Sequence, residues 1–488
     1  MKATHEVLNQ SAPLAGANLW EINRPLRDAL AHQAPGLDTG KLAGLGRLAG
    51  SAEMQAHARL ANTHQPVLRT HDVQGRRIDE VDFHPSYHAL MGAALVHGLH
   101  GTPWSRPPLA HVERAAAFML FTELEPSVLC PVSMTYAVTP ALRANAAVHA
   151  AFGPGLAATR YDPRSMPASG KTALTMGMGM TEKQGGSDVR ANTTRAEFDA
   201  DSAWGRAYRL TGHKWFFSAP MCDAFLVLAQ AEGGLSCFFV PRFGIKGAVN
   251  PIRIQRLKDK LGNHANASSE VEFGGDTLGW LVGEEGRGVP QILAMGALTR
   301  LDCALGTAGL MRQALSLAIH HTRQRMAFGK RLAEQPLMKN VLADLALESE
   351  AAIALALRVA RTVDETEHGN DPHEAAMRRV LTPIAKFWIC KRGAAFAQEA
   401  MECLGGNGYV EAAGEGVMAR IYREMPVNSI WEGAGNIQAL DLLRALRGGV
   451  VADALAKELA PVKGASAAID RTLDATLRAV DGGTEEAH

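Results

Sequence analysis

Apolar and polar positions follow three different rhythms along this chain. From Gly288 onward the pattern is helical: Leu337, Val341 and Leu345 recur at four-residue spacing, and few glycines interrupt up to Thr366, which is the signature of one buried helix face. The turn formers His368-Gly369-Asn370-Asp371-Pro372 end that stretch. A second long helix is predicted from Pro372 to Leu404, with Pro383 as a kink or a split and Gly405-Gly406 as its stop. The middle of the chain reads differently. Tyr208–Ser218, Ala224–Gln230, Leu235–Pro241 and Val271–Phe273 are short and rich in Val, Phe, Trp and Leu, and Gly212, Gly233-Gly234 and Gly274-Gly275 separate them. This predicts a small antiparallel β domain. The first part, to Pro167, mixes helical stretches with loops: His111–Leu124 is alanine-rich and breaker-free, and Pro126, Pro131 and Pro140 then punctuate the chain.

The resulting expectation is a mainly α protein with an inserted antiparallel β domain. It divides into an N-terminal helical part (1–167), a β part (168–287), a helical bundle (288–448) and a short helical tail (449–488). A hydrophobic content of 47% over 488 residues is enough for two or three packed units. Lys+Arg and Asp+Glu both total 50, so the whole-chain charge points neither to nucleic acid nor to an anionic membrane. The six cysteines are far apart and form no Cys-x-x-Cys pair. Neither a metal site nor a disulfide framework is expected, and a reduced cytoplasmic setting fits. The start MKATHEVLNQSAPL lacks the basic head and apolar stretch of a secretory signal, and runs such as Ala351–Leu357 are too short to span a bilayer.

Chemistry enters at Gly179-Met180-Thr181-Glu182-x-x-Gly185-Gly186-Ser187-Asp188-x-x-Ala191. Backbone N–H groups of a glycine-hinged loop can converge on an anion or a carbonyl-rich ring. Thr181 and Ser187 add hydroxyl donors. A flavin meets that need, with acceptors along its ring edge and an anionic pyrophosphate; Gly-Gly-Ser alone reads equally well as a polar turn. The full thirteen-residue pattern resembles the signature of the acyl-CoA dehydrogenase family, in which this loop serves the flavin from the β domain. The resemblance implies roles for Met180, Thr181, Gly186 and Ser187. Gly212-His213-Lys214-Trp215-Phe216-Phe217-Ser218 resembles the family's second flavin segment, where an aromatic residue flanks the ring and a hydroxyl bonds the cofactor. That marks Trp215, Phe216, Phe217 and Ser218, although without the first motif the aromatics would read as strand core.

Three later segments agree. Gln324-Arg325-Met326-Ala327-Phe328-Gly329-Lys330 resembles the family's Arg-x-x-Phe-Gly element. This implies that Arg325 meets the flavin pyrophosphate of a neighbouring subunit, a pairing that suits a guanidinium, and marks Phe328 beside it as cofactor-binding. Taken alone it is a solvated basic helix end. Glu402–Tyr409 resembles the Gly-Gly-x-Gly-aromatic turn, so Gly405 and Gly406 are expected at the adenosine part across a subunit contact; the plain alternative is a glycine helix cap. The acidic residue usual three positions after the aromatic is Ala412 here, with Glu411 before it, which points to a remodelled loop up to Arg420. Last comes Ile430-Trp431-Glu432-Gly433-Ala434-Gly435-Asn436-Ile437-Gln438, where the resemblance implies Ile430, Trp431, Gly433, Gly435 and Asn436 toward the cofactor and Glu432 as the catalytic base. The family oxidises an acyl thioester: a base removes the α proton while hydride leaves the β carbon for flavin N5. Burial strengthens a carboxylate for that task by disfavouring its charged form. The family's other arrangement sets the base one residue before an arginine on another helix. The pair here is Thr299-Arg300, and threonine cannot serve. FAD, an acyl-CoA substrate and a homotetramer follow from the resemblance, with an electron-transfer flavoprotein or oxygen as acceptor.

Leu257–Asn263, Met425–Ser429 and Cys130–Thr135 are similar to the alkylation-response, AidB-type branch. Its members bind FAD, have low acyl-CoA dehydrogenase activity and bind double-stranded DNA through a basic C-terminal domain. This raises a rival reading, a DNA-binding flavoprotein that protects against alkylation with little turnover. The chain departs from the branch at that point. From Gly449 to His488 it has four Lys or Arg against seven Asp or Glu, a net charge of −3, whereas phosphate neutralisation needs clustered cations.

Overall fold

The computed structural model describes residues 3–447 and 450–482. In the N-terminal layer, helices Arg24–Gln33, Gly40–Ala49 and Ala52–Thr63 pack around Ala110–Leu124. Every residue of Ala110–Leu124 is buried, which is why its sequence lacks a polar stripe. A hairpin of Val67–His71 and Arg77–Asp82 also lies here; its charged, weakly alternating residues gave no strand signal. Pro131 and Pro140 do not break the chain, because helix Leu129–Leu142 contains both. Pro131 stands in the first turn, where an N–H has no helical partner to lose.

The middle strands form a seven-stranded sheet that curls on itself. Arg195–Ser202 pairs with Gly205–Phe217, which pairs with Ser269–Val282, then Gly234–Pro241, then Ala224–Ala231, and Gln230 of that strand pairs back onto Arg195. Met176–Gly179 joins Ala224–Ala231 in parallel. The antiparallel expectation therefore holds except at the two pairings made by Ala224–Ala231 with Met176–Gly179 and with Arg195. Gly233-Gly234 does separate two strands, but Gly212 and Gly274-Gly275 sit inside theirs. The register slips there, leaving Gly275 (φ +87°) and Asp276 as a bulge opposite Leu210-Thr211, a conformation that glycine accepts at low cost.

The bundle packs Gly288–Gln324, Pro336–His368, Pro372–Glu402 and Val417–Ile430 together, and Gly288–Gln324 also lies against Ala110–Leu124 and Leu129–Leu142. Pro383 does not split its helix. Where Pro372–Glu402 crosses its neighbours, a Cβ on Gly393 would stand 2.8 Å from Met425 Sδ and 2.9 Å from Thr307 Cγ2. A buried pair, Arg114 Nη2 to Asp302 Oδ2 at 2.7 Å, ties the N-terminal layer to the bundle. The tail is helical over Val450–Leu459 and Ala467–Gly482, and Arg358 fastens it by bridging Glu374 and Glu458. The remainder of the expected tail, 449 and 483–488, lies outside the described residues. Among the described residues no helix is long and apolar enough to cross a membrane, and no group of His, Cys, Asp or Glu could hold a metal. All six cysteines are free and buried.

Candidate active site

Glu432 lies in the turn between helices Val417–Ile430 and Gly435–Leu446, in left-handed backbone (φ +58°). A side chain with a Cβ takes that conformation only when its surroundings compel it. Here three cationic or amide donors hold the turn's carbonyls. Arg300 Nε donates to Glu432 O at 3.0 Å, Gln438 Nε2 to the carbonyls of Glu432 and Gly433 at 3.1 and 2.9 Å, and Lys386 Nζ to Gly433 O at 2.7 Å. Arg300 is itself fixed by Asp441, which Arg379 also binds. With the backbone held, the carboxylate accepts one hydrogen bond from the described residues, from Thr299 Oγ1 to Oε2 at 2.6 Å. Desolvation pushes the Glu432 carboxyl above the ordinary carboxylate range; the Thr299 hydroxyl, Arg300 and Lys386 pull the other way, and Asp302 adds to the rise.

The carboxylate opens on a cavity formed where the helical layer, the barrel and the bundle meet. Phe118, Leu129, Met134 and Leu310 give it an apolar wall, Met178 and Ser218 approach from the barrel, and Trp431 stands beside Glu432. Asn263, Glu424, Asn428 and Asp302 add polar groups. Burial beside Glu125 pushes Glu424 up to about 7.

On the barrel, Trp215 N donates to Thr181 O at 2.8 Å, which sets the two glycine- and aromatic-rich segments side by side. Gly186 is needed for closeness: a Cβ there would come within 2.5 Å of Thr181 Oγ1. Beneath this surface is an ion pair of two fully buried side chains, Lys214 Nζ to Glu182 Oε1 at 2.7 Å. Glu182 also accepts from the N–H and hydroxyl groups of Thr193 and Thr194, and Lys214 donates to Leu228 O. Trp215 carries Lys258 Nζ 3.2 Å from its ring centroid, and Phe216 is half exposed. Phe217 instead turns into the barrel core against Phe225.

Ser218, Trp431 and Glu432 thus share one cavity wall. Arg325, Phe328, Gly405 and Gly406 are not in it. Phe328 is 98% exposed at the end of the longest helix. Arg325 donates to Asn9 O, Asn9 exchanges hydrogen bonds with the Met326 backbone at 2.9 and 2.8 Å, and Asn407 Nδ2 donates to Gln10 Oε1 at 2.9 Å. Asn9-Gln10 therefore stitches the two remote motifs into one exposed cluster. Ile430 and Asn436 are exposed, while Gly433 and Gly435 shape the turn around Glu432.

Sequence reasoning missed Lys386, Gln438, Glu182, Asn9 and Gln10. Glu182 and Gln438 lie inside the quoted motifs, but nothing there marked their structural roles; Lys386, Asn9 and Gln10 act by position alone, in patterns no different from an ordinary helix face or loop. The residues present fit FAD. Thr181 and Ser187 hydroxyls are unclaimed by other described residues, the glycine loop is open to solvent, and Trp215 and Ser218 lie alongside.

Comparison with known proteins accords with this arrangement. Residues 9–163 match the adaptive response protein AidB N-terminal domain, 177–275 the acyl-CoA dehydrogenase middle domain, and 286–447 the acyl-CoA dehydrogenase C-terminal domain. The chain is 50% identical over 474 residues to AidB of Escherichia coli (strain K12), covering 96% of this chain and 86% of that one. It is 31% identical to acyl-CoA dehydrogenase family member 11 of Caenorhabditis elegans across 82% of this chain, and it spans 65% of that protein's length. Among solved structures, Bd2924 in its apo form superposes with TM-score 0.86 at 31% identity, covering 97% of this chain and 96% of that one. C. elegans ACDH-11 in complex with C11-CoA gives 0.84 at 28% identity, covering 99% and 83%. A barrel set between two helical units, with a carboxylate where all three meet, defines an oxidoreductase of flavin type. The chain belongs to the acyl-CoA dehydrogenase family, and its cofactor is FAD.

Proposed function

We propose that this protein is an acyl-CoA dehydrogenase in which Glu432 is the base, linked to the response to DNA alkylation. The observation that carries the reading is the Glu432 carboxylate, held by Thr299 on a clamped left-handed turn and facing a largely apolar cavity. A thioester seated there presents its α carbon to Glu432, which takes the proton. FAD, when bound along Thr181, Ser187, Trp215 and Ser218, supplies the acceptor for the hydride from the β carbon. Desolvation makes Glu432 a stronger base than a carboxylate in water. The Thr299 hydrogen bond opposes that rise and aims the carboxylate. The apolar wall excludes water from the reacting carbons. The C11-CoA bound by ACDH-11 supports an acyl-CoA as substrate; the alkylation link rests on the branch resemblance of the sequence, with which the match to the adaptive response protein AidB N-terminal domain is in keeping. The exposed cluster of Arg325, Phe328, Gly405 and Gly406 serves a neighbouring subunit's FAD in a homotetramer.

The test is anaerobic titration of the FAD-loaded protein with acyl-CoA thioesters, following flavin bleaching, in wild type and Glu432→Gln. Loss of the base lowers flavin reduction by about a hundredfold or more, while FAD and acyl-CoA still bind, because the loss lies in the transition state. Wild-type rates in Glu432→Gln would overturn the assignment. The same variant separates the rival reading. If the protein protects by occupying DNA, Glu432→Gln leaves DNA binding and protection intact.

A further inference from the structure

The cavity wall carries more hydrogen-bonding capacity than a hydrocarbon chain can use. Asn428, 7% exposed, accepts from Trp431 Nε1 through Oδ1 at 3.1 Å. The indole N–H only donates, so this contact fixes the amide's orientation. Asn428 Nδ2 is left as a double donor with no acceptor among the described residues, on a side chain that lines the cavity. Gly306 also lines the cavity: a Cβ there would still lie 4.0 Å from Asn428 Nδ2 and 3.8 Å from the Phe118 ring. The missing side chain leaves the Asn428 amide bare on the cavity side. One helical turn before Asn428, Glu424 is 3% exposed. Its Oε2 accepts from Asn263 N at 2.8 Å, and its Oε1 has no partner among the described residues. Residues four apart on a helix share a face, so Asn428 and Glu424 present one polar strip inside an otherwise apolar chamber. A ligand that fills the cavity takes water from this strip, and leaving a donor without an acceptor there is costly, so the strip suits a ligand that completes it. The cavity lining includes no lysine or arginine, and Asp302 is spoken for by Arg114.

The geometry points to an acyl-CoA whose chain carries a neutral oxygen acceptor, an oxo or hydroxyl group, beyond the reacting carbons, received by Asn428 Nδ2 with Glu424 beside it. A chain ending in a carboxylate is disfavoured, because it would meet Glu432 and Glu424 with no lysine or arginine in the lining to pair with it. Burial holds Glu424 near neutrality in pKa, so its carboxyl can donate to a hydroxyl or oxo group as well as accept. The inference rests on the acyl-CoA dehydrogenase reading above.

The experiment compares hexanoyl-CoA with its oxo-, hydroxy- and carboxy-substituted counterparts, the substituent placed in turn on each carbon beyond the β position. It measures kcat/KM for flavin reduction in wild type, Asn428→Leu and Glu424→Gln. Binding is measured by calorimetry in Glu432→Gln, where turnover does not intervene. The expected result is a preference of about tenfold or more for an oxo or hydroxy chain over hexanoyl-CoA, with the carboxy chain weakest. Asn428→Leu, checked for retained FAD and unchanged melting, collapses the preference and favours plain hexanoyl-CoA. Glu424→Gln keeps an amide donor and holds the preference for oxo chains. Equal kcat/KM in wild type and equal affinity in Glu432→Gln for plain and oxygenated chains would overturn the inference while leaving the dehydrogenase reading standing. Failure of every thioester to bleach the flavin overturns both.

Discussion

At the residue scale, the site is a carboxylate whose basicity is set by opposing neighbours. Desolvation raises the Glu432 pKa and the Thr299 hydroxyl lowers it. Thr299→Val removes a hydrogen bond made to the charged form, so the pKa rises further. The base is active when deprotonated, so the acid limb of the kcat/KM profile moves to higher pH, with activity at alkaline pH largely kept. A pH series of anaerobic flavin reduction checks this; an unmoved limb would show that Thr299 does not act on the base. Glu424 offers a stability counterpart. Its folded pKa of about 7 lies above that of an unfolded glutamate. The folded state therefore favours the protonated form, and stability is lost as pH rises from the ordinary carboxylate range through about 7. Full ionisation costs on the order of 3 kcal/mol. Glu424→Gln, which can still accept from Asn263 N, is expected to melt increasingly above wild type between acid and alkaline buffer.

At the element scale, the barrel surface proposed to meet the flavin is held from beneath. The Glu182–Lys214 pair joins the glycine loop to the strand that carries Trp215 and Ser218. Lys214→Met leaves a buried carboxylate with only neutral donors, and removing one partner of a buried pair costs about 3–5 kcal/mol. Lower thermal stability together with weaker FAD retention is the expected outcome, read by melting curves and by the visible absorbance kept through gel filtration. The long helices and the Gly233-Gly234 hairpin were legible in sequence, because period and turn chemistry are local. Gly212 and Gly274-Gly275 misled as separators, since a bulge and a turn demand the same residue. The hairpin Val67–Asp82 was invisible because its strands bury little and alternate weakly.

At the scale of the whole molecule, Arg325, Phe328, Gly405 and Gly406 form an exposed cluster away from their own chain's cavity. If they complete a neighbour's cofactor site, FAD retention and assembly are linked. Light scattering paired with flavin absorbance across a dilution series is expected to show FAD loss together with a fall in particle mass. A monomer saturated with FAD would remove the argument. Arg325→Ala is expected to weaken both without altering the Glu432 cavity.

The residues themselves determined the chemistry on offer: a carboxylate in Trp-Glu-Gly, hydroxyls in a glycine loop, an arginine before Phe-Gly. Short-range spacing carries that information, because a motif's side chains are fixed relative to one another by a few backbone bonds. Tertiary structure alone decided what surrounds them. Thr299 and Arg300 lie 133 and 132 residues from Glu432, and Lys386 lies 47 residues from Gly433. Nothing in their own neighbourhoods marks them as holding a turn or biasing a proton. The same holds for Asn428 and Gly306, whose juxtaposition across the cavity follows from how two helices pack. Burial, and with it basicity and specificity, depends on every element that closes the cavity at once, and so arises only when the chain is folded.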